Sequence, residues 1–248
     1  MNAQPPPRIG PPKLRRRQPP TGFDIFLVLS ASAVILFGTA GLGAVLAPSL
    51  QGFFGDGGMT RQTLVVALLA VQCLGLLTAI QVVILRRRGL TWRDLGLRPA
   101  APQWYRRTLW VTLLTFGLAL VLSVLVQRLA GSPLDNPQEA VLAADSMSAG
   151  SFLALLVVAA GLGPLAEELL FRGLVYAWMR RHLDVLPSAA LSALLFASVH
   201  AIPWLIPSFF AIGVVLALLY ERSGSLWPPV LAHGTYNAIN LMLLALTI

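Results

Sequence analysis

Charged residues and cysteine are both scarce in this chain. Only 11% of its 248 residues are charged, against about 25% in a typical soluble domain, and the charges stand in a few clusters. A single cysteine, Cys73, excludes an internal disulfide and a zinc site built on cysteines, and we interpret it as a small apolar helix residue. Segments of about ten residues that alternate polar with apolar, typical of membrane-spanning β-strands, are also lacking.

Long hydrophobic runs fill most of the chain. Hydrophobic residues make up 56% of the sequence and the mean hydropathy is +0.75. An uncharged apolar run of about 18 residues or more is typical of a transmembrane helix. Seven runs can be delimited, the fifth of them short, at residues 25–47, 62–85, 108–127, 151–175, 187–202, 203–220 and 226–248. We predict an all-α, polytopic transmembrane helix bundle of about seven helices, with room for an eighth, re-entrant or surface helix near residues 136–144.

The first 21 residues differ in composition from the rest. They contain seven prolines and five basic residues, a composition that cannot supply a packed core. We predict a disordered, basic cytoplasmic tail over residues 1–21 and a membrane bundle over residues 22–248. A net charge of +8 is compatible with nucleic-acid binding. The arginines stand beside hydrophobic runs, however, so we expect membrane lipid and no nucleic acid as a partner.

Basic loops predict the orientation of the bundle. Residues 86–107 hold seven arginines, and Arg180, Arg181 and Arg222 mark two further loops. The positive-inside rule places the N terminus and these loops in the cytoplasm, and seven spans place the C terminus outside. We therefore expect a multi-pass protein of the cell (inner) membrane. No internal repeat is visible, which weakens a transporter built from inverted repeats.

Two adjacent carboxylates, Glu167 and Glu168, stand in the fourth run. Glu168 and Arg172 are four residues apart, so on a helix they share a face and can pair. Glu167 points about 100° away and stays free to face a cavity, where it can act as a general base. The alternative is that both glutamates only reach the cytoplasmic interface from a helix end.

Two histidines and an asparagine stand in later runs. His200 ends the fifth run, while His233 and Asn237 lie four residues apart in the last one. Ionisable groups inside spans are costly and are functional candidates, although each can also be a hydrogen-bonding residue that only joins helices. At 1.5 Å per residue, Glu167 and His200 lie roughly 20 Å from the cytoplasmic side and His233 about 10–15 Å. The motifs can therefore meet in a pocket that opens to the cytoplasm.

The order Glu-Glu-x-x-x-Arg, Phe-x-x-x-His and His-x-x-x-Asn resembles the CAAX protease and bacteriocin-processing family, also called the CPBP or Abi family. Residues 94–98 and 220–229 are similar to the family's flanking segments, and the motif-bearing resemblance covers about residues 151–240. It implies an intramembrane endopeptidase. In eukaryotic and archaeal relatives the substrate is a prenylated protein that is cleaved after the modified cysteine.

The resemblance also implies roles for seven side chains. Glu167 and His200 activate a water. His233 and Asn237 stabilise the oxyanion of the tetrahedral intermediate. Three support the site: Glu168, Arg172 and Phe196. Peptide hydrolysis needs a base for water and donors for the oxyanion, and this set offers both.

Metal dependence stays open from the sequence. Glu167, His200 and His233 form a sufficient zinc ligand set, although Asn237 is a poor ligand. Their spacing is not His-Glu-x-x-His, in which one helix supplies two ligands and the base. Family members are often labelled metalloendopeptidases, but a zinc mechanism and a mechanism in which the glutamate works without metal both fit these residues.

Three kinds of function are compatible with these motifs. The first is a membrane-embedded hydrolase that cleaves a protein or peptide near the membrane. The second is a non-catalytic binding or bacteriocin self-immunity protein with the same fold. The third, an ion or metal transporter, is disfavoured because the first three helices carry no residues for an ion path. The residue usage looks bacterial, so peptide maturation, self-immunity or protein turnover is favoured over a prenylated substrate.

Overall fold

The computed structural model describes residues 18–54, 61–131 and 148–246. These residues form seven helices and contain no strand, which confirms the predicted all-α bundle. In chain order the helices are α1 Gly22–Phe54, α2 Arg61–Ala79 with its continuation Ile80–Arg86, α3 Pro102–Ala130, α4 Ala149–Met179, α5 Val185–Val199, α6 Ile206–Ser223 with the preceding turn Pro203–Leu205, and α7 Trp227–Ala245. The predicted eighth helix near residues 136–144 lies outside the described residues, as does most of the predicted tail.

Five helical segments are long and apolar enough to cross a membrane by length and composition: Gly22–Leu46, Thr63–Arg86, Pro102–Ala130, Ala149–Met179 and Pro203–Ser223. The predicted multi-pass membrane protein is therefore confirmed. Helix α5 has 15 residues and is about 22 Å long, shorter than a hydrocarbon core of about 30 Å. Its C-terminal end, which carries His200, consequently lies within the depth of the bilayer if its first residue is at the surface.

The start of α1 is fixed by a capping arrangement. The carboxylate of Asp24 accepts hydrogen bonds from the backbone N–H and the hydroxyl of Thr21, at 2.8 and 2.7 Å, and the Thr21 hydroxyl oxygen accepts from the Asp24 N–H at 3.4 Å. Arg88 forms an ion pair with Asp24 at 2.5 Å and also donates to Gln18 at 3.0 Å. The last residues of the predicted tail are thus hydrogen-bonded to the chain segment that follows α2.

Helix α4 occupies the centre of the bundle. It contacts α2, α5, α6 and α7, and all residues of its segment Leu169–Tyr176 are buried. Two of its segments, Val158–Leu162 and Leu169–Tyr176, are π-helical and flank Gly163–Glu168. π-Turns widen a helix locally and are frequent at functional sites. The pair of glutamates therefore stands between two irregular turns of the most buried helix.

Small residues bring the neighbouring helices close together. A Cβ added to Gly213 of α6 would lie 2.8 Å from the Cβ of Ala193 on α5, and one added to Gly234 of α7 would lie 2.3 Å from the carbonyl oxygen of Ala160 on α4. Close backbone approach through small residues is the usual way in which membrane helices associate, since lipid tails are as apolar as leucine. These two contacts set the spacing of the helices that carry the motifs.

Candidate active site

The three sequence motifs lie on three different helices, α4, α5 and α7. Glu167 and Glu168 stand on α4, His200 caps the C-terminal end of α5, and His233 with Asn237 projects from α7. The rings of His200 and His233 both contact the ring of Phe196, with centroid distances of 4.8 and 5.6 Å. The second and third motifs therefore meet at one aromatic side chain.

Glu168 is the hydrogen-bond acceptor at the centre of this cluster. Its side chain is fully buried, and its Oε1 accepts from Nη1 of Arg172 at 2.8 Å and from Nδ1 of His233 at 2.9 Å. Arg172 is fully buried too, donates to the carbonyl oxygen of Gly213 at 3.0 Å and lies 4.7 Å above the ring of Phe196. One carboxylate and one guanidinium thus connect α4 with α5, α6 and α7.

Glu167 has different surroundings from its neighbour. Its side chain is 34% exposed, and Oε2 lies 3.9 Å from Nε2 of His233. Oε2 is itself buried and, like Oε2 of Glu168, has no hydrogen-bond partner among the described residues. A carboxylate oxygen that no protein donor occupies can accept a proton or a hydrogen bond from a bound molecule. Because Glu167 is partly exposed while Glu168 is fully buried and paired with Arg172, the two adjacent glutamates are suited to different work.

His200 is oriented by three contacts. Its ring lies against Phe209 of α6 at 4.3 Å and meets Phe196 edge-on, while Nδ1 lies 2.8 Å from the carbonyl oxygen of Phe196. Because a carbonyl oxygen only accepts hydrogen bonds, Nδ1 carries the proton, and the neutral ring has its lone pair at Nε2. The following residue, Ala201, has φ 55°, a left-handed conformation that ends α5 directly after the histidine.

His233 is oriented in the same way by Glu168. A carboxylate accepts the hydrogen bond at Nδ1, so Nδ1 is the protonated nitrogen. In the neutral ring Nε2, which faces Glu167, can only accept; the imidazolium donates from both nitrogens. The oxyanion role that the resemblance implies for His233 consequently requires the doubly protonated ring.

Asn237 lies against the irregular part of α4. Its amide nitrogen donates to the carbonyl oxygen of Ala159 at 2.9 Å, within the π-helical segment Val158–Leu162. An amide group has two N–H donors, and this bond uses one of them. Asn237 therefore contributes to the α4–α7 contact and keeps a second donor.

The sequence alone left a zinc site open at Glu167, His200 and His233. Within the ranges that the structure describes, no group of three or more His, Cys, Asp or Glu side chains is arranged to hold a metal ion. As placed here, the three side chains do not form a zinc ligand set.

Residues 149–239 match the family model described as type II CAAX prenyl endopeptidase Rce1-like. This range begins with α4, ends in α7 and contains all three motifs. The chain is also 28% identical over 83 residues to YdiL of Bacillus subtilis (strain 168), a candidate membrane peptidase by its name, with 34% of each chain covered. The resemblance to the CPBP family is confirmed. The two matches support a membrane-protease kind of function.

Both matches cover only part of the chain. The chain spans about a third of the length of the curated relative that it matches, and no solved structure matches it. The matched range leaves α1, α2 and α3 outside. The CPBP resemblance therefore concerns the four helices that carry the candidate site.

Several residues that shape the site carry no sequence motif. Phe209 stacks on His200, Gly213 offers its carbonyl oxygen to Arg172, and Gly234 permits the approach of α7 to Ala160. The two glycines stand in apolar runs, where small residues mark helix contacts, so their packing role has a signal in the sequence. Phe209 resembles any other apolar span residue, and only the fold reveals its contact.

Proposed function

We propose that this chain is an intramembrane endopeptidase that hydrolyses a peptide bond of a membrane-associated protein or peptide. The observation that carries the proposal is that two adjacent glutamates have different surroundings. Glu168 is fully buried, and its Oε1 accepts hydrogen bonds from Arg172 and His233. Glu167 is 34% exposed, and its Oε2 lies 3.9 Å from Nε2 of His233. The matched family and relative support the same class of reaction.

Glu167 is the general base in this proposal. It takes a proton from a water molecule as the water oxygen attacks the carbonyl carbon of the scissile bond. Nε2 of His200 has its lone pair available because Nδ1 donates to Phe196, so it accepts the second hydrogen bond of the same water. When the C–N bond breaks, the proton passes from Glu167 to the departing amine nitrogen. The products are a carboxylic acid and an amine.

Asn237 and His233 stabilise the oxyanion of the tetrahedral intermediate. The second N–H of the Asn237 amide is one donor. His233 is the other donor as the imidazolium, in which Nδ1 donates to Glu168 at 2.9 Å and Nε2 donates to the oxyanion. Preorganised donors of this kind contribute about 3–4 kcal/mol each to transition-state stabilisation. Each side chain that positions them is buried or joined to a helix backbone, so little reorganisation accompanies the reaction.

The proposed reaction uses no metal ion. Its orientation follows the positive-inside rule: the Arg-rich ends of the helices, with Arg180, Arg181 and Arg222 near the ends of α4 and α6, face the cytoplasm. The site then opens toward the cytoplasmic side of the cell membrane. Membrane lipid and a protein or peptide substrate are the expected partners.

Cleavage of a library of membrane peptides tests the proposal. The full-length protein is purified in detergent, and wild type is compared with Glu167→Gln, each with and without a zinc chelator; fragments are identified by mass spectrometry. We expect wild type to release fragments in both conditions and the variant to release none. Cleavage that disappears with the chelator would overturn the metal-free reaction. Equal cleavage by the variant, or none by wild type on any member of the library, would contradict the proposed protease.

A further inference from the structure

The segment of residues 91–98, here called the clasp loop, joins the end of α2 to the start of α3. It is internally ordered by hydrogen bonds. The N–H of Asp94 donates to the carbonyl of Thr91 at 2.9 Å, and the N–H of Gly96 donates to Arg93 at 3.1 Å. The Asp94 carboxylate in turn accepts from the Thr91 hydroxyl at 2.7 Å. The clasp loop therefore has a defined shape of its own.

The clasp loop is bonded to the short connection between α6 and α7. The N–H of Leu226 donates to the carbonyl oxygen of Gly96 at 2.9 Å, and Nε of Arg98 donates to the carbonyl oxygen of Gly224 at 2.6 Å. The hydroxyl of Ser225 donates to the carbonyl oxygen of Arg98. Three consecutive residues of the connection are thus tied to one loop.

Two glycines allow the clasp loop to approach its neighbours this closely. Gly96 has φ +104°, and a Cβ there would lie 2.7 Å from the hydroxyl oxygen of Tyr220 on α6. On α4, a Cβ at Gly173 would lie 3.0 Å from the carbonyl oxygen of Leu95. The loop consequently touches α4, α6 and the start of α7. Helix α4 carries the first motif, α6 carries the carbonyl oxygen that accepts from Arg172, and α7 carries the third motif.

The start of α7 determines where His233 stands. Leu226, the N-cap of α7, is fully buried and precedes His233 by seven residues, or about two turns and 10 Å of helix. A helix transmits an axial shift of its first turn to its next turns. The height at which Leu226 is bonded to Gly96 therefore affects the distances from His233 to Glu168 and to Glu167.

The other end of the connection has a separate anchor. Glu221 on α6 accepts from the hydroxyl of Tyr176 at 2.7 Å and pairs with Arg180 at 3.2 Å. These bonds join α6 to α4 without the clasp loop. Loss of the loop contacts is therefore expected to leave α6 in place and to release mainly the start of α7.

We propose that Arg98 is a positioning residue of the site: with Gly96 it fixes the first turn of α7, and so sets the separation of His233 from the two glutamates. Its effect on cleavage rests on the proposed protease function, whereas its effect on α7 does not.

Hydrogen exchange of the full-length protein in detergent tests the proposal. Arg98→Ala removes the donor to Gly224, Arg98→Lys retains a donor, and Arg93→Ala removes an exposed arginine of the same loop. We expect Arg98→Ala to accelerate exchange about tenfold in residues 224–237 while the midpoint of thermal unfolding changes little. Arg98→Lys restores slow exchange at least in part, and Arg93→Ala behaves like wild type.

Kinetics on a library peptide give the second readout. Since a displacement of about 1 Å can cost about 100-fold in rate, we expect Arg98→Ala to lower kcat about tenfold and to leave KM unchanged. Exchange in residues 224–237 equal to that of Arg93→Ala would overturn the positioning role, as would a uniform rise along the chain with a lower unfolding midpoint. If wild type cleaves nothing, the protease proposal fails, and the exchange result still decides whether the clasp loop positions α7.

Discussion

Glu168 accepts a hydrogen bond from Nδ1 of His233 at 2.9 Å, and the two residues are 65 positions apart in the sequence. The same oxygen accepts from Arg172 at 2.8 Å. This bond decides which nitrogen of His233 faces Glu167, and it separates the tasks of the two neighbouring glutamates. Residues of the first and third motifs are thus joined in one hydrogen-bonded cluster between α4 and α7.

Substitution of His233 distinguishes its structural bond from its proposed catalytic one. Asparagine retains a donor near the position of Nδ1, so His233→Asn keeps the bond to Glu168 but loses the group at Nε2. We expect this variant to unfold near the wild-type temperature and to show at least about 100-fold slower cleavage. His233→Ala removes both groups, and the partly unsatisfied buried carboxylate lowers the free energy of unfolding by about 1–3 kcal/mol. Equal stability of the two variants would contradict the bond to Glu168.

Ala201 allows a test of the turn that follows His200. A left-handed conformation costs a residue with a Cβ about 1–2 kcal/mol relative to glycine, and a β-branched residue more. Because glycine also gains freedom in the unfolded chain, Ala201→Gly should raise the free energy of unfolding by no more than about 1 kcal/mol, while Ala201→Val lowers it. Thermal unfolding in detergent measures both. A destabilised glycine variant would show that this residue does not have positive φ in the folded protein.

Gly234 is expected to be intolerant of any side chain. An added Cβ would lie 2.3 Å from the carbonyl oxygen of Ala160, a backbone atom, so Gly234→Ala must move α7 away from α4. We expect a loss of about 1–3 kcal/mol of stability together with loss of cleavage, because His233 and Asn237 move with the helix. Gly161→Ala is the matched control on α4, since a Cβ there meets no atom within 4 Å. Comparable losses in both variants would show that the close α4–α7 contact is not responsible.

The helices were largely predictable because lipid imposes a simple rule. An uncharged apolar run that is long enough to span the bilayer forms a helix. The predicted runs coincide with the observed helices within a few residues at most ends. Two ends differ by more: α1 continues to Phe54 rather than ending at residue 47, and α3 starts at Pro102 rather than at residue 108. Helix α3 continues through Arg106 and Arg107, which charge excludes from a hydrophobic run but not from a helix.

Side-chain relationships within one helix were also predictable, whereas those between helices were not. The spacing of Glu168 and Arg172 by four residues specifies a shared face, and the structure places them 2.8 Å apart. Nothing in the local sequence indicates the π-helical turns of α4. The stacking of Phe209 on His200 also results from the tertiary fold. The catalytic roles of the motif residues stay predictions.

The most direct test of the account is a comparison of Glu167→Gln with Glu168→Gln, with cleavage rate and thermal unfolding measured on each purified protein. Gln is nearly isosteric with Glu, so the comparison changes charge rather than volume. We predict that Glu167→Gln abolishes cleavage and unfolds at the wild-type temperature. Glu168→Gln leaves the buried Arg172 without its carboxylate, which lowers the free energy of unfolding by about 3 kcal/mol. Wild-type cleavage by Glu167→Gln, or equal loss of stability in the two variants, would contradict the separate roles of these adjacent glutamates.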